Sequence, residues 1–218
     1  MNYTLTDMLL FFLFSFAEFL AIFIMMMWLF RFKFKNYQYS IYFLTAILTV
    51  ISWVVRNVFG EAAYAPILLI SVLILLFYVL SSISLIWCAF MGVLAYVGYG
   101  LVQAIIIFVP DWLGWYSFRE MSNTSVTAYC IQTVSAAAYI GLAYLLKHNR
   151  LGLTFVSPAR ATKVRMNGMN ITILIVLIVS FLMMALWYQI RYLPYIIFIF
   201  IADLSLLLYA AFWKENQK

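Results

Sequence analysis

Long apolar runs, broken by short polar clusters, set the pattern of the chain from end to end. Each run has roughly 20 residues, enough to cross about 30 Å of hydrocarbon as an α-helix. Placed by apolar length and loop signals, the predicted helices cover residues 8–30, 39–59, 65–83, 86–109, 125–146, 169–189 and 193–213. Residues 62–110 carry no charge, so only Ser81, Ser82, Ser84 and the length of the run argue for a turn between the third and fourth helices. A fused or re-entrant reading there gives six spans. No stretch alternates with the period of a barrel strand, so the backbone is expected to satisfy itself inside helices. The expected fold is an all-α, polytopic transmembrane helical bundle of seven spans, a single domain over residues 1–218.

Composition sharpens this expectation. With 68% hydrophobic and 9% charged residues, the chain falls outside the soluble globular class. The first run, Met8 to Phe30, has no basic residue before it, exceeds a signal-peptide core and lacks a small-residue cleavage pattern. It is expected to remain as the first span.

The net charge of +6 is mainly an orientation signal. Lys and Arg near helix ends are retained on the cytoplasmic side. With the N-terminus outside and the C-terminus inside, ten of the 13 basic residues fall inside: Arg31, Lys33, Lys35, Lys147, Arg150, Arg160, Lys163, Arg165, Lys214 and Lys218. Only Arg56, Arg119 and Arg191 lie toward the outer side. The aromatic clusters "DWLGWY" and "WYQIRYLPY" read as outer-interface belts. Two readings apply to the stretch from Lys147 to Arg165: topology plus attraction to the anionic bilayer, or docking of a cytoplasmic or membrane protein partner. No nucleic acid partner is expected, for lack of a folded module to bind it.

Candidate reaction chemistry is sparse. The single histidine, His148, falls at the inner end of the fifth helix, where it complements terminal carbonyls. Cys88 and Cys130 sit at opposite depths and read as reduced, buried thiols. No spacing of His, Cys and carboxylates suits zinc, and no glycine-rich phosphate loop occurs, so neither a metal, a cofactor nor an enzyme activity is expected. The sequons at Asn2, Asn123 and Asn170 match a common tripeptide and carry little weight.

Three ionisable residues fall within spans: Glu18, Arg56 and Asp203. Counted at 1.5 Å per residue, both carboxylates lie roughly 15 Å deep, while Arg56 is nearer the outer end. Thr45, Thr49, Ser52 and Arg56 follow one helical face, a polar stripe expected to turn away from lipid. Gly92, Tyr96, Gly100 and Gln103 form a comparable row on the fourth helix, and Tyr129, Gln132, Ala136 and Tyr139 one on the fifth. Glu18, Arg56, Gln103, Gln132 and Asp203 are therefore the candidate lining of an outward-facing cavity. The competing reading is architectural: an Arg56 pair with Glu18 or Asp203 ties helices together, and the glutamines act as interhelical glue. Glu18 is the preferred partner, because the first two helices share a short loop.

The "FRFKFKNY" turn, the "ISWVVRNVFG" end of the second helix and the "AYVGYGLVQ" stretch of the fourth carry a family resemblance. With an outside N-terminus, the pattern resembles the polytopic sensor region of bacterial GHKL-type histidine kinases, the group that includes peptide-pheromone receptors of quorum sensing. The resemblance implies a multi-pass protein of the bacterial plasma membrane that senses a peptide or small lipophilic ligand. The chain stops at "FWKENQK", so a kinase domain is not expected and a signal would pass through a separate partner. The alternatives are a membrane subunit of a transporter, or a proton-coupled carrier using Glu18 and Asp203, and an immunity protein against a membrane-active peptide.

Overall fold

The computed structural model describes residues 5–59, 65–81, 83–114, 126–156, 167–187 and 192–216. Arg119, Arg160, Lys163, Arg165, Arg191, Lys218 and the sequons at Asn2 and Asn123 lie outside the described residues, as do parts of both aromatic belts.

Seven helices follow one another: α1 (Leu5–Leu29), α2 (Phe34–Trp53), α3 (Ala65–Leu80), α4 (Leu85–Trp112), α5 (Val126–His148), α6 (Gly168–Trp187) and α7 (Leu193–Glu215). No strand occurs among the described residues. Six of the helices are long and apolar enough to cross a membrane, which makes the fold an all-α polytopic bundle. The seventh, α3, has 16 residues and reaches about 24 Å, short of a full crossing. It is nonetheless separate from α4: the chain bends at Ser81 and Ile83, so the fused reading does not hold. Helix α2 starts earlier than its apolar run, at Phe34, because Lys35, Asn36 and Gln38 are polar without being helix breakers. Hydropathy marks the edge of the lipid rather than the end of a helix.

Ring and backbone contacts give the register. Phe12 stacks on Trp53 at 6.3 Å, closing α1 and α2 into an antiparallel hairpin. Phe14 stacks on Tyr129 at 4.9 Å and Trp28 meets Tyr144 at 6.4 Å, so α1 and α5 run parallel in constant register. Helix α4 is the hub, touching α1, α3, α5, α6 and α7. Two of its glycines explain how. The Tyr139 hydroxyl donates to the Ala95 carbonyl at 2.6 Å by crossing over Gly98, where a Cβ would stand 2.7 Å from that oxygen. At Gly100 a Cβ would come within 2.7 Å of the Phe200 ring of α7. Gly92 looks instead toward Leu73 and Ile74 of α3, so the two glycines of the predicted row, Gly92 and Gly100, serve different neighbours, and Gly98, outside that row, serves a third. In lipid, apolar burial does not drive such contacts, so close packing and interhelical hydrogen bonds must. The outward faces, with Leu13 and Phe198 among them, are apolar and exposed, as a lipid-facing surface requires.

The basic end of the bundle is closed by a non-helical strap, residues 151–156. Phe155 lies among Phe30, Trp87 and Phe90, and the Leu153 amide donates to Leu29 O at 2.7 Å. The Glu215 carboxylate accepts the amides of Thr154 and Phe155 at 2.9 and 3.1 Å and also the Thr154 hydroxyl. The first part of the Lys147 to Arg165 stretch is therefore packed on the bundle itself; residues 157–166 lie outside the described residues. Arg31 and Arg150, each just beyond a helix end, adopt φ of 56° and 55°. Glycine or asparagine is usual there, and a bulky residue costs roughly 1–2 kcal/mol.

Candidate functional site

The polar stripe of α2 faces inward as its spacing predicts: Thr45, Thr49 and Ser52 are buried. The first two hydroxyls are spent within the helix, donating to Ile41 O at 2.7 Å and Thr45 O at 2.8 Å. The stripe then enters a π-helical turn, Val54–Val58, in which the Phe59 amide donates to Val54 O at 3.1 Å. The wider turn changes the azimuth at which Arg56 leaves the helix, and such turns recur at functional sites. Arg56 is half-buried there.

Glu18 is half-buried on α1. The α1–α5 register sets it within about one turn of Gln132, and the Gly98–Tyr139 crossing brings Gln103 to the same level. Both glutamines are half-buried. Glu18 and Arg56 interact electrostatically, and both act on Tyr96 and Tyr99. Neither Glu18 nor Asp203 forms a direct ion pair with Arg56 among the described residues. The preferred partnership with Glu18 is thus one of field rather than of contact. The offset has a geometric cause: the Phe12–Trp53 stack aligns Arg56 with residues well above Glu18 on the antiparallel hairpin.

Around this pair, buried polar atoms stand without a protein partner: Tyr99 Oη, Tyr129 Oη, Gln132 Oε1 and Ser135 Oγ. Three of them lie on the inward face of α5. Unmet buried polar groups each cost about 1–3 kcal/mol. The Tyr129 hydroxyl also feels Asp7, in the first turn of α1, so the layer extends toward the end of the bundle at which α1 begins.

Asp203 lies apart from this layer. It is 2% exposed on α7 and accepts the hydroxyl of Ser180, on α6, at 2.5 Å. The structure therefore brings Glu18, Gln103 and Gln132 to one level, sets Arg56 nearer the N-terminal end of α1 but within electrostatic reach of Glu18, and gives Asp203 a different neighbour. Sequence reasoning missed Tyr99, Ser135 and Ser180. Ser180 had a legible signal, as the one polar residue between Ile173 and Trp187, where a lone serine serves interhelical bonding.

An apolar concavity of about 360 Å³ lies beside the layer, between α1 and α5, bordered by Leu10, Phe14, Tyr129 and Val134. A second one lies at the basic end of the bundle. Neither is lined by Glu18, Arg56, Gln103, Gln132 or Asp203.

Elsewhere, His148 stacks on Tyr144 at 6.2 Å, Cys88 is a buried free thiol while Cys130, expected to be buried, is exposed on α5, and Asn170 accepts from Lys214 Nζ at 3.0 Å. No group of three or more potential metal ligands occurs among the described residues. Compared with known protein families, with curated proteins and with solved structures, the chain matches none. The class that the fold defines is a helical, polytopic membrane protein.

Proposed function

We propose that the protein is a receptor-like membrane protein that binds an apolar peptide or small lipophilic ligand in the polar layer formed by Glu18, Arg56, Gln103 and Gln132. The supporting observation is the group of partnerless buried atoms, Tyr99 Oη, Gln132 Oε1 and Ser135 Oγ, near a carboxylate whose cation, Arg56, influences it without touching it. Amide groups of a peptide both donate and accept, and would satisfy these atoms while an apolar remainder replaces lipid. The likeness of "FRFKFKNY" and "ISWVVRNVFG" to peptide-pheromone receptors agrees with this reading and adds a signalling role in a bacterial plasma membrane. In that role the N-terminus is outside, and the ligand arrives from that side. Labelling from each face tests the orientation: a cysteine at Leu113 should react with an impermeant maleimide from outside and one at Asn36 from inside. The opposite pattern would overturn the orientation.

The ligand claim is tested by melting the purified protein in nanodiscs against a library of short apolar peptides and lipophilic compounds. Binders should raise Tm in the parent and not in Gln132→Leu, with stabilisation of about 2.7 kcal/mol at a hundredfold excess over Kd. Equal shifts in parent and variant would dismiss the site.

A second reading, the coupled carrier, has one observation in its favour: Asp203 is a carboxylate buried at mid-bundle. Under that reading Asp203→Asn abolishes uptake in a protein that folds normally.

A further inference from the structure

The helix ends of α1 and α5 lie side by side at the basic end of the bundle and leave a groove of about 520 Å³ between them. Arg31, Lys33, Lys35, Lys147 and Arg150 line it, and no residue described in its lining is acidic. Five cations around one groove repel one another, so the groove is complementary to an anion. Backbone conformation adds to this: both arginines hold left-handed φ angles at helix ends where glycine would fit without strain. Arg31 Nη2 donates to Arg150 O at 2.6 Å, locking the two turns together and leaving other guanidinium donors for a ligand.

The wall supplies a further donor. Trp28 borders the groove, and its indole Nε1 is buried without an acceptor in the protein. Lys147 Nζ stands 4.3 Å over the Trp28 ring, which fixes the ammonium at the groove rather than in bulk solvent. Apolar surface continues from the charged rim: Phe34 and Leu146 lie in the groove, and Tyr144 and Leu145 are exposed one turn further into the span. A ligand fitting this sequence of surfaces has a phosphoryl oxyanion at the helix ends and hydrocarbon running along α5. We infer that the groove binds the phosphodiester headgroup of an anionic phospholipid in the adjacent leaflet. This site is distinct from the polar layer and does not depend on the ligand reading given above.

The experiment is native mass spectrometry of the full chain released from vesicles of equal phosphatidylglycerol and phosphatidylcholine. Retained phosphatidylglycerol should exceed phosphatidylcholine by about tenfold, a preference that a few cations at a membrane surface supply. The preference should fall to parity in Lys147→Gln and in Arg150→Gly, the second of which removes the left-handed strain and so keeps or raises Tm. Lys214→Gln, with the same loss of charge outside the groove, should retain it. If Lys147→Gln lowers Tm, Lys33→Gln, at an exposed position of the same rim, takes its place. Parity in the parent protein, or equal loss in Lys214→Gln, would overturn the site. Displacement by millimolar inorganic phosphate, with both lipids then retained alike, would assign the groove to a free phosphate and overturn the lipid.

Discussion

Glu18 and Asp203 are the carboxylates far from a helix end among the described residues, and their surroundings differ in kind. Asp203 is sealed between α6 and α7 with the Ser180 hydroxyl on it. Glu18 is half-buried, within the field of Arg56 but not bonded to it, among hydroxyls and amides that lack partners. The first arrangement is complete and joins two helices. The second is incomplete and leaves groups to spare. Intramembrane charge alone therefore does not separate glue from site; the state of the neighbouring donors and acceptors does.

The contrast can be broken at Ser180 first. Ser180→Ala removes the bond from a buried carboxylate and should lower stability by about 3 kcal/mol, measured by reversible unfolding in detergent. Asp203→Asn keeps a polar partner for Ser180 and should cost less than about 1 kcal/mol. Similar losses in both would mean that the Ser180 contact is not what holds this pair of helices.

At the other carboxylate, Arg56→Ala leaves Glu18 without its cation. Because the two are not in contact and Arg56 is half-buried, the loss should be smaller, about 1–2 kcal/mol, with part recovered in Arg56→Ala combined with Glu18→Gln. A full double-mutant cycle with no coupling would reduce Arg56 to a side chain that reaches the surface. Tyr139→Phe deletes the bond to Ala95 O beneath the polar layer and should cost about 1 kcal/mol without altering ligand response. The smallest effect on stability is expected from Glu18→Gln alone, within about 0.5 kcal/mol, together with loss of response to any ligand found by the melting screen. A large stability loss and an intact response there would make Glu18 as structural as Asp203.

Much of this arrangement was legible in the residues. The inward turn of Thr45, Thr49 and Ser52 followed from spacing alone, since a polar stripe on an apolar helix has only the bundle to face. The inward placement of Tyr129, Ala136 and Tyr139 on α5 followed for the same reason. The π-helical turn at Arg56 was not legible, because a change of hydrogen-bond period leaves no mark in residue type. The strap at residues 151–156 was also hidden: its three buried side chains, Leu153, Phe155 and Val156, have no helical period and sit beside charged residues.

The sequence by itself determined the membrane class and the place of most helices, because the bilayer acts as a solvent that accepts only long apolar helices with satisfied backbones, while the break between α3 and α4 was decided by the structure. It also determined which residues are out of place in lipid, and so named Glu18, Arg56 and Asp203. Only the tertiary structure decided which of these meet. Lipid and neighbouring helices are equally apolar, so hydropathy cannot distinguish a face that packs from a face that does not. Azimuth and register are set instead by side-chain shape, such as Phe200 over Gly100, Tyr139 over Gly98 and Phe12 on Trp53, and the resulting packing has Ser180 on Asp203 and Glu18 at a distance from Arg56.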